Sequence, residues 1–326
     1  MDLITQDVNY RKNQLCARHN DRILARVVAD SIAEGVRLTT LEIVFPRIVL
    51  AEFNTHRVFS RNSASSRAIP VEKMLAKAVE DPYVPSTWGR NGRGMQAKED
   101  LGDDEARWAA REWLSARDSA VCHARNLLEI GVHKQTTNRV LEPYLWHTCV
   151  VTATDWSNFR HLRAHADAHP DIQDTARAVI AVLDAHEPVE VYEGCFHLPF
   201  CTDRDGEEVR ERDLAVRLQV GMGRVQAMLS AARCARVSYE THAGVRDIDE
   251  DLRLHDQLLS AGHMSPFEHP ACALPREEWV NPDPPETEAK KNSRRSNFCF
   301  PWMQYRKMLP YEWDIYSDPH RVWEPA

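Results

Sequence analysis

The sequence predicts a globular protein that combines α-helices with β-strands. Leu41, Ile43 and Phe45 alternate with polar neighbours, which is the pattern of a half-buried strand. A set of apolar residues at helical spacing ends before Gly131, a residue type that often terminates helices. This set comprises Trp113, Ala116, Ala120, Ala124 and Leu127. Elements of both kinds therefore contribute to the predicted core.

The composition is that of a soluble globular protein, with 326 residues of which 43% are hydrophobic and 28% are charged. The sequence has no long apolar run, so we expect no membrane-spanning helix. The net charge of −8 argues against general nucleic-acid binding, although local arginine clusters still permit a small anionic substrate. The eight cysteines form no C-x-x-C pair and the first residues lack a signal core, so we expect reduced thiols in the cytoplasm. We predict no metal site, because the fifteen histidines provide neither H-E-x-x-H nor a Cys/His cluster.

The other elements are predicted from charge, spacing and turn residues. Residues 1–38 are charged, and we expect them to form an N-terminal helical extension. Pro46 suits the first turn of a short helix through Ile48–Phe53. Glycine and proline punctuate 81–104, which predicts a loop that is either a lid over a site or a plain connector. Further predictions are helices over Ile172–Leu183, Leu214–Ala232 and Ile248–Leu259, and a turn at Asp203–Gly206.

The densest polar stretch is Thr55–Arg67, with the sequence THRVFSRNSASSR. Arginine forks match phosphate oxygens, and serine and asparagine favour turns whose unpaired N–H groups also attract phosphate. An ordinary polar surface loop has the same composition. The preceding strand and helix favour anion binding, because they connect the stretch directly to the core.

The spacing H-R-x-x-S-x-N-x-x-S-x-R in this stretch resembles the signature of flavin-dependent thymidylate synthases. N-F-x-x-L-R at Asn158–Arg163, followed by A-x-P-x-I, is similar to the second nucleotide-binding segment of that family. A-R-V-S at Ala235–Ser238 and G-H-M-S-P-F-E-H at Gly262–His269 resemble its opening segment. Taken alone, the second stretch also fits a solvated helix start, and the last one fits a helix C-cap with a buried Glu–His pair.

The order of these stretches is unusual, because the segment that opens the family's sequences comes last here. We interpret the chain as circularly permuted, a change that folds tolerate when their termini lie close together on the surface. The predicted organisation is an N-terminal helical extension at 1–38, a permuted synthase-like domain at 39–272 with an insertion at 186–213, and a linker and tail at 273–326 that packs on the domain.

The resemblance implies an α+β fold with a central, mostly antiparallel sheet and long helices. It also implies a homotetramer with FAD bound where subunits meet. The implied reaction is one-carbon transfer to C5 of a pyrimidine nucleotide, with methylenetetrahydrofolate as the carbon donor and NADPH-reduced flavin as the hydride source. In such an enzyme the cofactor carries most of the chemistry, and the protein binds and orients the reactants.

The resemblance further implies roles for individual residues. Arg163 is the expected catalytic residue, because it would stabilise negative charge on the pyrimidine carbonyls. The expected nucleotide-binding residues are Glu52, Ser63, Ser65, Arg67, Arg139 and Arg163, with Arg139 assigned through N-R-V-L-E-P, which is similar to the family's R-x-x-L-P. The expected FAD-binding residues are His56, Arg57, Ser60, Asn62, Asn158, Ser238, His263 and Ser265. No cysteine lies in a setting that suggests activation as a nucleophile, which agrees with a route that needs no thiolate.

The chain departs from the family pattern at several positions. Thr55 replaces the first arginine of R-H-R, Ser63 stands where glutamate is frequent, and Glu52 replaces glutamine. Asp167-Ala168-His169 stands in place of His-Ala-Gln, and Tyr305-Arg306-Lys307 is a candidate replacement for the missing arginine.

These departures leave other functions open. A carboxylate facing a pyrimidine edge discriminates uracil from cytosine, so C5-hydroxymethylation of dUMP or dCMP is an alternative to the conversion of dUMP to dTMP. A non-catalytic flavin- or nucleotide-binding protein is a further alternative. An unrelated nucleotide hydrolase is disfavoured, because the sequence has no P-loop or metal-ligand pattern.

Overall fold

The chain adopts an α+β fold, described by a computed structural model for residues 16–19, 22–242, 244, 246–276 and 297–309. The predicted fold class is confirmed. The described strands are β1 (Cys16–His19), β2 (Ile23–Ala33), β3 (Val36–Pro46), β4 (Ser60–Ser63), β5 (Trp146–Ala153), β6 (Val189–Glu190), β7 (Phe196–His197), β8 (Ala271–Ala273) and β9 (Trp302–Gln304).

The described strands form two sheets. The larger sheet has the order β1–β2–β3–β5–β4, with antiparallel pairing throughout, and β6 pairs in parallel with β2. The smaller sheet is antiparallel, with the order β7–β8–β9. Strand β4, which carries the signature, therefore lies at one end of the larger sheet.

A tight hairpin joins the two longest strands, β2 and β3. Ala33 pairs with Val36, and the two residues between them, Glu34 and Gly35, have positive φ angles of 48° and 73°. Two consecutive left-handed residues form a hairpin turn whose twist matches that of the strands it connects.

The predicted helical extension at 1–38 is wrong for the described residues from 16 onward, which form β1, β2 and the start of β3. Ile23 and Val27 are four residues apart, which fits a helix, but Ala25 between them is buried as well. Positions i and i+2 face opposite sides of a helix and the same side of a strand. Buried residues therefore recur at every second position, as in a strand. The predicted domain limits stay a prediction.

The described helices follow the expected pattern in most places. They are α1 (Leu50–Phe53), α2 (Val71–Glu80), α3 (Asp103–Glu129), α4 (Lys134–Thr137), α5 (Ser157–Arg163), α6 (Pro170–Ala185), α7 (Asp203–Glu211), α8 (Leu214–Arg217), α9 (Met222–Arg236) and α10 (Ile248–Ser260), with 3₁₀ turns at Arg47–Val49, Asn138–Tyr144, Val237–Tyr239, Ser265–Glu268 and Tyr305–Met308. The loop predicted at 81–104 connects α2 to α3 and is confirmed.

Two predicted elements differ from the structure. The sequence predicts a turn at Asp203–Gly206, but these residues open α7, because Thr202 and Asp205 form a capping box there. The single helix expected over Leu214–Ala232 is interrupted. Gln219 has a positive φ of 55°, which a continuous right-handed helix does not allow. The chain therefore makes the short α8 and then the long α9.

The main core lies between the larger sheet and α6. Ile172, Ala176 and Val179 of that helix are fully buried against strand residues such as Ile43 and Val151. Four aromatic side chains extend the core beneath the signature, namely Phe53, Phe59, Trp156 and Phe159. No helix in the described part of the chain is both long and apolar enough to cross a membrane.

Candidate functional site

The first part of the signature stretch is anchored to the core on both sides. Phe53 ends α1, and its ring lies 5.8 Å from that of Phe59, which directly precedes β4. Ser60 then pairs with Thr152 of β5. Because both phenylalanines are buried, the intervening residues are held at fixed positions on the rim of the sheet. A mobile surface loop would lack these anchors.

His56 and Arg163 form a direct pair between the signature and α5. The Arg163 Nε donates to His56 Nε2 at 2.9 Å, and its Nη2 donates to Thr55 Oγ1 at 2.8 Å and to the Glu52 carbonyl at 3.2 Å. Asn158, five residues earlier on α5, interacts with the same imidazole through a side-chain hydrogen bond that raises the pKa of His56. The middle stretch and the signature therefore meet within one chain.

The electrostatics of this pair favour a neutral imidazole. Burial and the neighbouring Arg163 charge lower the pKa of His56, against the opposing effect of the Asn158 hydrogen bond. His56 Nε2 accepts from the guanidinium, so the ring hydrogen belongs on Nδ1. Arg163 Nη1 has no hydrogen-bond partner among the described residues. It is left available to a ligand.

Glu52 adds a carboxylate to this cluster without a protein partner. Its carbonyl accepts from Arg163, but its Oε2 is buried and has no hydrogen bond to any described group. An unsatisfied buried acceptor costs about 1–3 kcal/mol, so such atoms are expected to acquire a donor from water or a ligand. Glu52 is therefore suited to accept a hydrogen bond from a bound molecule.

Asn62 of β4 forms hydrogen bonds with the last of the three sequence stretches, the A-R-V-S and S-P-F-E-H segments. Its Nδ2 donates to the Cys234 carbonyl at 2.6 Å and to Ser238 Oγ at 3.5 Å, and its Oδ1 accepts from Ser265 Oγ at 3.4 Å. The Ser65 N–H donates to the Ser238 carbonyl at 3.1 Å. These contacts place the A-R-V-S and S-P-F-E-H segments beside the signature, as the interpretation of a permuted order requires.

A second polar corner follows β4. The Asn138 Nδ2 donates to the carbonyls of Ser66 and Ile69, at 2.7 and 2.9 Å, and its side chain is fully buried. It therefore holds the serine-rich turn beside its own neighbour, Arg139. Arg139 is exposed and pairs with Glu142 at 3.0 Å. Sequence reasoning missed Asn138, although its position directly before Arg139 in N-R-V-L-E-P was visible.

The signature carries cationic groups that no described side chain neutralises. Arg57 and Arg67 are exposed, and neither guanidinium has a described hydrogen bond or ion pair. Arg61 is half-buried, and burial together with Arg57 lowers its pKa, while Glu268 acts in the opposite direction. Unpaired guanidiniums in a turn rich in hydroxyl groups fit the phosphates of a nucleotide and of a dinucleotide cofactor such as FAD.

Three predicted site residues lie apart from these clusters. Ser60 is fully buried and accepts from Gln304 Nε2 at 2.7 Å, so its hydroxyl faces the interior. Ser63 donates to Cys149 Sγ at 3.2 Å. His263 is exposed at the end of α10, where its backbone N–H caps the helix at the Leu258 carbonyl. The ligand contacts expected of these three side chains stay predictions.

The thiols near the site are not poised as nucleophiles. Burial raises the pKa of Cys149 to about 11, and it also raises the pKa of Cys234 well above the usual value. A nucleophilic cysteine needs a lowered pKa, because the thiolate is the reactive form. Among the described residues, no three His, Cys, Asp or Glu side chains are grouped so that they could hold a metal ion.

Comparison with known families gives a match over 4–189 to the family described as thymidylate synthase complementing protein. The match spans more than half of the 326 residues and includes both the signature and Asn158–Arg163. The chain belongs to this family. The resemblance seen in the sequence is thereby confirmed, while the A-R-V-S and S-P-F-E-H segments lie beyond the matched residues.

Solved structures to which the chain shows a partial similarity include a UMP/dUMP methylase, PolB, from Streptomyces cacaoi. Bound with 5-Br UMP, it has a TM-score of 0.37 and 16% identity, covering 46% of this chain and 70% of that chain. Bound with 5-Br dUMP, it has a TM-score of 0.37 and 18% identity, covering 46% and 67%. No curated protein matches the sequence.

Proposed function

We propose that this family member transfers a one-carbon unit from methylenetetrahydrofolate to C5 of dUMP, giving dTMP. The observation that carries the proposal is the Arg163–His56 pair at one end of β4, with the serine- and arginine-rich turn at the other. Arg163 can stabilise charge, and the turn can bind phosphate. Their positions on either side of one short strand suit a nucleotide that is held by its phosphate and modified on its base.

The phosphate is assigned to the corner formed by Ser65, Arg67 and Arg139. Asn138 holds the turn that presents Ser65 and Arg67, and both arginines are exposed. A phosphate dianion accepts several charge-assisted hydrogen bonds from such a set, which are stronger than bonds between neutral groups. The nucleotide would be oriented before its base reaches Arg163.

Arg163 is assigned to the base. Attack by C5 on the one-carbon unit builds negative charge on the ring carbonyls, and a fixed guanidinium donor stabilises that charge. Its Nε and Nη2 are held by His56, Thr55 and the Glu52 carbonyl, so the orientation of Nη1 is set before the ligand binds. Little reorganisation is then needed during the reaction, because the donor is already in place.

FAD is assigned to the other signature residues, and when bound it would supply the hydride that comes from NADPH. The residues that would hold it are His56, Arg57, Asn62, Asn158, Ser238, His263 and Ser265, whereas Ser60, whose hydroxyl faces the interior, would act only through the position of β4. We further propose a cytoplasmic homotetramer, so that some of these residues reach a flavin held mainly by a neighbouring subunit. In the proposed reaction, C5 of the base loses one proton and gains a methylene group. The hydride then converts this methylene group to a methyl group.

Glu52 favours a second candidate, C5-hydroxymethylation of dUMP or dCMP. Its unpartnered carboxylate oxygen can accept from the 4-amino group of cytosine, but it repels the O4 acceptor of uracil. Hydroxymethylation uses the same carbon donor, loses the same C5 proton, and adds water in place of the hydride. The identity of the substrate base and the identity of the transferred group therefore have to be determined separately.

The test is a reaction of the purified protein with methylenetetrahydrofolate, NADPH and either dUMP or dCMP, followed by mass spectrometry of the nucleotide. A methyl product supports the first candidate, and a hydroxymethyl product supports the second. A visible flavin spectrum without C5 tritium release from either nucleotide would overturn both, and it would indicate a binding protein. Glu52→Gln is the matched variant, which we expect to shift the relative affinity from dCMP towards dUMP.

A further inference from the structure

A line of buried hydrogen bonds crosses the larger sheet and ends at the S-P-F-E-H segment. Ser31 Oγ contacts His197 Nδ1 at 2.9 Å, and His197 Nε2 contacts Thr40 Oγ1 at 2.7 Å. Thr40 then contacts Thr152 Oγ1 at 2.7 Å, and Thr152 contacts His269 Nδ1 at 2.8 Å. We refer to these five residues as the buried chain.

The members of the buried chain come from separate parts of the sequence. Ser31, Thr40 and Thr152 belong to the neighbouring strands β2, β3 and β5, while His197 lies in the 186–213 segment, for which the sequence suggested no role. All five side chains are at most 6% exposed. Polar groups at this depth are stabilised only if their hydrogen bonds are made, so each contact restrains the position of its neighbours.

Both imidazoles are neutral at physiological pH, because burial lowers the pKa of His197 and of His269 to about 3. A neutral imidazole has one ring hydrogen, so it donates through one nitrogen and accepts through the other. If Thr152 donates to His269, it has no second hydrogen, so Thr40 must donate to Thr152. His197 must then donate to Thr40 through Nε2. The two histidine tautomers are therefore linked through the hydroxyl groups.

The end of the buried chain is next to the candidate site. His269 directly follows Glu268, which pairs with Arg306 at 2.6 Å, and Ser265 of the same 3₁₀ turn donates to Asn62. Thr152 itself faces Ser60 of β4 in the strand register. A shift of His269 would thus be transmitted to the turn that contacts the signature.

We propose that His197 is a positioning residue, which acts through Thr40 and Thr152 to hold His269 and the Ser265–Glu268 turn against β4. This proposal rests on the proposed function, because the positioned turn is part of the flavin site assigned above. It gives the 186–213 segment a role, since the segment supplies the ring that bridges β2 and β3. His197 does not itself touch a ligand.

The test compares His197→Leu with Ser31→Ala. His197→Leu removes both ring contacts, while Ser31→Ala removes a contact to the same ring but leaves Thr40, Thr152 and His269 connected. Each variant is examined by thermal melting, by FAD titration, and by ¹⁵N NMR of the His269 ring. We expect both to lower the melting temperature, but only His197→Leu to weaken FAD binding about tenfold and to shift the His269 nitrogen signals. His197→Gln, which restores a donor near the Nε2 position, is expected to recover most of the affinity.

Equal losses of melting temperature with unchanged FAD affinity and unchanged His269 signals would overturn the proposal and leave His197 a structural residue. If His197→Leu does not fold, Thr40→Val replaces it, because this change removes the Thr40 hydroxyl from the buried chain with nearly unchanged side-chain volume. Melting temperature, FAD affinity and His269 signals are then measured for Thr40→Val. If the unaltered protein binds no FAD, the flavin assignment fails. The NMR comparison then decides the positioning proposal alone.

Discussion

Ser265 donates a hydrogen bond to the Oδ1 of Asn62 at 3.4 Å, although 203 residues separate them in the sequence. The same asparagine donates to the Cys234 carbonyl and to Ser238 Oγ. One buried amide in the signature therefore contacts both the A-R-V-S and the S-P-F-E-H segments. Contact of these two segments with the signature is what a permuted order predicts, and the permutation itself stays a prediction.

Asn62→Ala is expected to lower both stability and flavin affinity. The change removes the Asn62 hydrogen bonds to the Cys234 carbonyl and to Ser265, which together cost about 2–3 kcal/mol of unfolding free energy, although the Val237 N–H still donates to that carbonyl. Urea denaturation measures the first effect, and FAD titration under native conditions measures the second. Asn126→Ala, on the exposed surface of α3, is the matched control and is expected to change the unfolding free energy by less than about 0.5 kcal/mol. Equal effects of the two variants would contradict the prediction.

Arg163→Lys is expected to abolish most of the activity while keeping the fold. Lysine retains the charge but loses the planar fork that bonds His56, Thr55 and the Glu52 carbonyl, so the cation is no longer oriented. We expect kcat/KM to fall roughly 100-fold, equivalent to about 2.7 kcal/mol. The measurement is tritium release from C5-labelled nucleotide.

Arg160→Lys supplies the control for this experiment. Arg160 lies one turn earlier on the same helix and pairs with Asp184 at 2.5 Å, where both side chains are partly exposed. Exposed pairs contribute about 0–1 kcal/mol, so a less than twofold change is expected. A similar loss in both variants would mean that the helix charge, and not the oriented guanidinium, supports activity.

Much of the candidate site could be predicted from the sequence, because its residues lie within short motifs of recognisable spacing. His56, Arg163 and Asn158, which the motifs single out, lie together within one chain, while their ligand roles stay predictions. The contacts of Ser60 and Ser63 could not be predicted, since a strand alternates its side chains between two faces and motif spacing alone does not reveal which face is buried. Gln304, which donates a hydrogen bond to the Ser60 hydroxyl, is 244 residues away in the sequence.

The error at 1–38 has a different origin. The helix is predicted from the charged residues of 1–38, and the spacing of Ile23 and Val27 does not contradict it, whereas the buried Ala25 between them belongs to a strand. The Glu34-Gly35 turn was the available signal, because tight hairpins need residues that tolerate positive φ. His197 could not be recognised in the sequence, since its partners are brought together only by strand pairing.

Cysteine modification is expected to leave the reaction intact. Cys122 and Cys299 are exposed, whereas Cys149 is buried with a pKa raised to about 11, so iodoacetamide at pH 8 should label the first two and spare the third. Intact-protein mass measures labelling, and C5 tritium release measures activity. Cys149→Ala should remain active, with a stability loss of about 1 kcal/mol from the lost packing. Complete inactivation of Cys149→Ala without unfolding would point instead to a thiol nucleophile.

Stability is expected to fall as the pH decreases below about 6.5, because three buried histidines resist protonation. Burial lowers the pKa of His147, His197 and His269 to about 3, from an ordinary value of 6.5. Between these two values the unfolded chain binds protons that the folded chain excludes, so acid favours unfolding. Together the three histidines should lower the unfolding free energy by about 4 kcal/mol between pH 7.5 and 5.5. Urea denaturation at both pH values tests this, with exposed His123→Gln as a variant that should not change the difference. Equal stability at the two pH values would show that the rings are protonated in the folded state or reach solvent.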